Sequence, residues 1–202
     1  MADSLVYVID DDEAVRDSIA LLLTSYGHRV KAYQNAIDFL RDLDNGADAC
    51  VVTDIRMPGQ NGIDLLATLR ETHPHLPVIL ITGHGDVPLA VRAMKLGASD
   101  FLEKPFHEDQ LSDAVIRALG QPRASTLDES MIARAKVSTL SQRERQTLEA
   151  LIKGHPNKVI AHQLGISPRT VEIHRANLMT KLGATNLPEV VRIALQAGLD
   201  NA

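Results

Sequence analysis

The sequence contains one cysteine and no tryptophan, and aromatic residues make up only 3% of its 202 positions. A single thiol, Cys50, excludes an internal disulfide framework and a thiolate metal site. Its place in the apolar stretch from Ala49 to Thr53 reads as that of a small core residue. The scarcity of aromatic side chains argues against an apolar ligand cavity. No apolar run approaches the roughly 20 residues that cross a bilayer, and Met1-Ala2-Asp3-Ser4 lacks a basic segment followed by an apolar one. These absences lead to the expectation of a soluble, cytoplasmic protein with no membrane partner.

What is present is an uneven distribution of charge. Residues 1–120 hold 19 acidic against 10 basic side chains, and residues 121–202 hold 7 against 11. A sign change of that size suggests two halves with different partners: cations or phosphoryl groups for the first, a polyanion for the second. Short apolar runs alternate with helix-period segments through the first 120 residues, the pattern of a parallel sheet with helices on both faces. Leu5 to Ile9, Ala49 to Thr53 and Val78 to Ile81 read as central strands, and the more polar Arg29 to Tyr33 and Asp100 to Leu102 complete five. Gly27, Gly97 and Gly120 are placed to end helices in the left-handed conformation, and Asp86 to cap the helix that starts at Val87. The first domain, 1–121, is therefore expected to be a doubly wound (βα)5 α/β fold.

Residues 122–139 read as a linker with one short helix, opened by the capping-box spacing of Thr126 and Glu129. Residues 140–202 read as an all-α domain of four helices. Ser141 and Glu144 form a second capping box, and a helix from Asn157 to Leu164 is joined at Gly165 to one from Pro168 to Leu182, the helix-turn-helix layout. A last helix starts at Pro188 and stops at Gly198.

The polar residues of the first domain fall at C-terminal strand ends: Asp10, Asp11 and Asp12 after the first strand, Asp54 after the third, Thr82 after the fourth and Lys104 after the fifth. In an open parallel sheet those ends share one edge, where ligands bind. Crowded carboxylates there call for a hard divalent cation, and Mg2+ suits a site of few carboxylates, water and phosphate. A carboxylate such as Asp54 can then capture a phosphoryl group if Mg2+ and Lys104 neutralise its oxygens and Thr82 donates to one of them. Taken singly, such an aspartate caps a helix, such a lysine is solvated and such a threonine merely ends a strand. Only their joint placement points to chemistry. Gly83-His84-Gly85 lacks the length and ending of a phosphate-binding P-loop, His84 has no Cys or second His at zinc-ligand spacing, and His73 and His75, on opposite sides of Pro74, read as solvated loop residues.

The stretches Val8-Ile9-Asp10-Asp11-Asp12, Thr53-Asp54-Ile55-Arg56-Met57-Pro58-Gly59, Thr82-Gly83-His84-Gly85-Asp86-Val87 and Glu103-Lys104-Pro105-Phe106 resemble the receiver domain of FixJ-type response regulators. The resemblance implies the strand order 2-1-3-4-5, and it implies that Asp54 accepts phosphate from a sensor histidine kinase and that Asp11 and Asp54 ligate Mg2+. Asp10 would act through water, and the backbone carbonyl of Arg56 would add an oxygen. It also implies that Thr82 moves toward the phosphoryl group, that Phe101 reorients, and that the surface of the fourth helix and fifth strand then dimerises. Lys104-Pro105 is expected to be cis. No enzyme activity is implied beyond Mg-dependent self-phosphorylation and slow dephosphorylation of Asp54.

In the second half, Lys153, Lys158, Arg169, Arg175 and Lys181 form a cationic surface around the helix-turn-helix. Val171, Leu178 and Leu182 make one apolar stripe of the second helix, leaving Arg169, Glu172, Ile173 and Ala176 largely off it. Leu140 to Arg145, Asn157 to Ala161 and Ile166 to Asn177 resemble the LuxR-type DNA-binding domain. That resemblance implies a double-stranded promoter as ligand, with Glu172, Ile173 and Ala176 at base edges and Lys158, Arg169, Thr170, Arg175 and Lys181 at phosphates. It also implies a homodimer formed on phosphorylation and a role with RNA polymerase in activating transcription. Ala176 departs from relatives that carry a longer basic residue there, so the DNA target should differ.

Two other readings compete. An aspartyl-phosphate phosphatase or mutase also combines Asp, Thr, Lys and Mg2+, but would carry DxDxT after the first strand, where Asp10-Asp11-Asp12-Glu13-Ala14 lacks the threonine. A small-molecule sensor with the same DNA-binding domain would need the aromatic-lined cavity for which the composition has little material.

Overall fold

The computed structural model describes residues 4–43, 49–83, 87–120 and 126–199, with the backbone alone at 126–128. The expected capping by Asp86, the role of His84, the Thr126 side chain of the first capping box and the 121/122 boundary lie outside the described residues.

Five parallel strands, β1 (Leu5–Ile9), β2 (Arg29–Tyr33), β3 (Ala49–Asp54), β4 (Val78–Thr82) and β5 (Asp100–Glu103), form one sheet in the order β2-β1-β3-β4-β5. Every residue of β1, β3 and β4 is buried, as continuous apolar runs require when helices cover both faces. The polar strands β2 and β5 take the edges. Helices α1 (Glu13–Ser25), α2 (Ala36–Asp42), α3 (Gly62–Thr72), α4 (Val87–Lys95) and α5 (Glu108–Gly120) follow the strands in turn. Ile19 and Leu23 of α1 and Leu111, Ala114 and Val115 of α5 enclose one core with Val6, Val8, Cys50, Val52, Ile79 and Ile81. On the opposite face of the sheet, Tyr7, Tyr33 and Phe39 meet in tilted and edge-on contacts, with Tyr7 and Phe39 centroids 5.1 Å apart. Gly120 does not act as a left-handed cap: it is the last residue of α5, and its φ is not positive.

The remaining helices are α6 (Thr126–Ser138), α7 (Gln142–Ile152), α8 (Asn157–Leu164), α9 (Pro168–Leu182) and α10 (Leu187–Gln196). Leu148, Leu151, Ile160, Val171, Leu178, Leu182 and Val190 make their core. Ala133 and Val137, one helical turn apart on α6, belong to it as well. The helix expected within the linker is thus a packed part of the C-terminal fold. Packing divides the chain into residues 1–85 with 96–121, and residues 86–95 with 122–202. Helix α4, which the strand–helix alternation assigns to the first domain, therefore groups with the second unit.

Gly165 ends α8 with φ +66, and Ile166 N–H donates to Ala161 O at 3.0 Å. Nothing lies within 4 Å of where its Cβ would be, so Gly165→Ala is opposed by the left-handed backbone alone, at about 1 kcal/mol. Calorimetry on the full chain should show melting of the helical unit lowered by about 4–8 °C.

Candidate functional site

Register brings the acidic residues together. Ile9 lies beside Thr53 across the β1–β3 pair, Asp54 beside Ile81, and Thr82 beside Glu103. Asp10, one residue past β1, therefore stands opposite Asp54 on a strand about 4.8 Å away. Lys104, one residue past β5, reaches the same edge, with its N–H donating to Thr82 O at 2.7 Å. Its Nζ donates to Asp10 Oδ2 at 2.8 Å and to Asp54 Oδ1 at 2.7 Å. The backbone N–H of Arg56 donates to the other Asp54 oxygen at 2.5 Å, and that of Asp12 to Asp10 Oδ1 at 3.0 Å. Arg16 fixes the strand end by donating to the Asp10 carbonyl.

Asp10 and Asp54 are 2% and 7% exposed, and the Lys104 side chain 24%. Burial raises the pKa of Asp10, although the Lys104 ammonium and the Asp12 N–H work against it. For Lys104 burial acts to lower the pKa, but the hydrogen bonds and charges of Asp10 and Asp54 outweigh it and hold the ammonium above its usual range. Thr82 is fully buried, Phe101 is buried, and Asp11 stands exposed beside the cluster. Asp12 has a local role: its carboxylate caps α1 by accepting from Ala14 and Val15 N–H. Lys104-Pro105 is cis.

In the second unit, Val171, Leu178 and Leu182 of α9 are fully buried, and Arg169, Glu172, Ile173 and Ala176 are exposed together, Ile173 at 54%. Two cations on this helix are engaged within the fold. Arg175 Nη1 donates to Asn157 Oδ1 at 2.7 Å, joining α9 to the start of α8. Lys181 Nζ donates to the buried Glu144 Oε2 at 2.6 Å, joining the end of α9 to α7. Glu144 also closes its capping box, accepting from Ser141 N–H while Ser141 Oγ accepts from Glu144 N–H. Thr170 Oγ1 shares a hydrogen bond with Ser167 Oγ, whereas Lys158 and Arg169 are exposed side chains at the starts of α8 and α9.

The response regulator receiver family matches residues 6–116, and the luxR family of bacterial regulatory proteins matches residues 138–194. The transcriptional regulatory protein FixJ of Azorhizobium caulinodans is 53% identical, covering 98% of this chain and 96% of the relative. FixJ of Rhizobium meliloti is 48% identical over 98% of both chains. The crystal structure of full-length FixJ from B. japonicum superposes with a TM-score of 0.57 at 48% identity over 98% of both chains. The chain belongs to the FixJ-type response regulators.

As a FixJ-type regulator it joins a receiver domain to a LuxR-type helix-turn-helix that binds DNA and regulates transcription. Receiver domains use Mg2+ at their phosphorylation site, and the donors here suit that ion. Asp10 and Asp54 converge on one ammonium, Asp11 is exposed next to them, and all offer hard carboxylate oxygens. Among the described residues no three His, Cys, Asp or Glu side chains form a finished cage. Cys50 is a buried, free thiol whose pKa burial pushes up, which suits a core residue.

Two residues of these contacts carry no signal of them in the sequence. Asn157 reads there only as a helix start, and Glu144 only as part of a capping box. Their partners lie 18 and 37 residues away, a separation that helical periodicity does not encode. The Lys181 ammonium first, and then the Ser141 N–H, hold the Glu144 carboxyl down at about 2 against an ordinary 4.5. A carboxyl depressed in the folded state contributes stability that is complete above about pH 4.5 and is lost as pH falls toward 2. Denaturation of wild type and Glu144→Gln across this range should show their stability difference shrinking as acid is added. A pH-independent difference would leave the ion pair without a stabilising role.

Proposed function

We propose that Asp54 accepts a phosphoryl group from a sensor histidine kinase and that the acyl phosphate promotes dimerisation and promoter binding, activating transcription. The observation that supports this most is the Lys104 ammonium set between Asp10 and Asp54 at the sheet edge. A carboxylate oxygen of Asp54 attacks the phosphorus of a phosphohistidine. A P–O bond forms as the P–N bond breaks, and the departing imidazole takes the electron pair and a proton from solvent. Asp11, Asp54 and the Arg56 carbonyl would hold Mg2+, with Asp10 acting through water, and the ion would supply charge neutralisation for the transferring oxygens.

Lys104 then exchanges one carboxylate partner for a phosphoryl oxygen, and the Thr82 hydroxyl donates to another. Bringing Thr82 inward vacates space into which Phe101 turns, and the receiver surface repacks into a dimer face. The dimer sets two α9 helices on half-sites about one DNA turn apart, where RNA polymerase is recruited. Glu172, Ile173 and Ala176 face base edges, and Lys158, Arg169 and Thr170 meet phosphates. Arg175 and Lys181, bonded to Asn157 and Glu144, hold α9 at its angle rather than add phosphate contacts.

Treatment with Mg2+ and phosphoramidate should add one phosphoryl group to wild type by intact mass and none to Asp54→Asn. In gel-shift titrations on promoter DNA it should tighten binding about 5–150-fold, the usual range for coupled sites. Failure to gain mass would remove Asp54 as acceptor; a mass gain without tighter binding would remove only the coupling. In salt titrations, Lys158→Ala and Arg169→Ala should each flatten the log–log affinity slope by about 0.9. Lys181→Gln should leave that slope unchanged, and an equal flattening would return Lys181 to the DNA backbone.

A further inference from the structure

Gly62, the first residue of α3, lies against the peptide of Asp54 itself. A Cβ built on it would stand 2.3 Å from the Asp54 carbonyl oxygen, 3.0 Å from Ile55 Cα and 3.1 Å from the Asp54 carbonyl carbon. All three are backbone atoms, so no side chain can swing aside. The φ of Gly62 is not positive, so the position needs glycine for space and not for backbone freedom. Here the helix reaches the strand end more closely than any side chain allows.

The contact is held from both sides. The Gly62 N–H donates to Ile55 O at 3.0 Å, and the Ile55 N–H donates to Ile81 O on β4 at 2.8 Å. Behind it, α3 is anchored by the buried Leu65, Leu66 and Leu69, and its first turn is tied by Asn61, whose side chain accepts from Ile63 and Asp64 N–H. The peptide that carries the Asp54 carboxylate is thus gripped between β4 and the bare start of α3. We infer that Gly62 is a positioning residue for phosphoryl capture: its missing side chain sets the aim of the Asp54 carboxylate toward Lys104 and the phosphodonor. This inference rests on the reading of Asp54 as phosphoacceptor.

A methyl at this position requires a shift of roughly 1 Å to restore ordinary contact, and misplacement of that size costs about 10²-fold in rate when geometry carries the reaction. The test follows phosphoramidate phosphorylation of the full chain in Mg2+ by intact mass, well below the melting temperature. It compares wild type, Gly62→Ala and Leu69→Ala, the last weakening the same helix without touching the Asp54 peptide. Gly62→Ala should lose ten- to a hundredfold in the maximal rate with KM for phosphoramidate little changed, while Leu69→Ala keeps the wild-type rate at comparable or greater loss of melting temperature. Equal rates for the two variants would overturn the inference, as would a loss confined to KM. If Gly62→Ala does not fold, Asn61→Gly decides. It releases the first turn of α3 without a clash, and should lower the maximal rate several-fold; a wild-type rate would overturn the inference. Absence of phosphorylation in wild type would instead overturn the acceptor reading, so the two failures are distinct.

Discussion

The ammonium of Lys104, 2.8 Å from Asp10 and 2.7 Å from Asp54, offsets a repulsion that the fold itself creates. Parallel register places the two carboxylates side by side on neighbouring strand ends, and helices on both faces leave them almost without water. A buried carboxylate loses several kcal/mol of hydration, and two adjacent ones oppose each other's ionisation. A cation between them resolves both problems at once. It also leaves the edge responsive, because any group that competes for the ammonium changes what the carboxylates require. The sheet order decides where these three side chains meet.

The helical unit uses the same device for a different end. Glu144 is nearly as inaccessible as Asp10, yet its pKa is depressed and that of Asp10 raised. The difference lies in local donors and sharing. Glu144 receives the Lys181 ammonium and the N–H of its own capping box, whereas Asp10 shares its lysine with a second carboxylate. The first arrangement is settled and structural. The second is a balance of one cation between two carboxylates.

Much of this was legible in residue order. The strand-end positions of Asp10, Asp54, Thr82 and Lys104 follow from apolar runs and a single topology, and the buried stripe of α9 from a 3.6-residue period. Features that depend on long-range partners were not. Arg175 and Lys181 read as free surface cations because nothing local to either residue indicates Asn157 or Glu144. The grouping of α4 with the second unit and the packing of α6 through Ala133 and Val137 are tertiary outcomes that override the alternation and polarity from which domains were read. Gly120 failed as a cap because a helix can simply end on glycine without turning left-handed. Gly62 was invisible as a constraint, since a glycine at a helix start has many ordinary explanations and only the distance to Asp54 selects one.

The tethering of α9 has a consequence for how such regulators diverge. Its stabilising contacts run through Val171, Leu178, Leu182, Arg175 and Lys181, while Glu172, Ile173 and Ala176 stand outside that core. Substitutions on the outward stripe therefore leave the contacts that hold the helix in place untouched. After gene duplication, a copy can vary those few positions without first acquiring compensating mutations elsewhere.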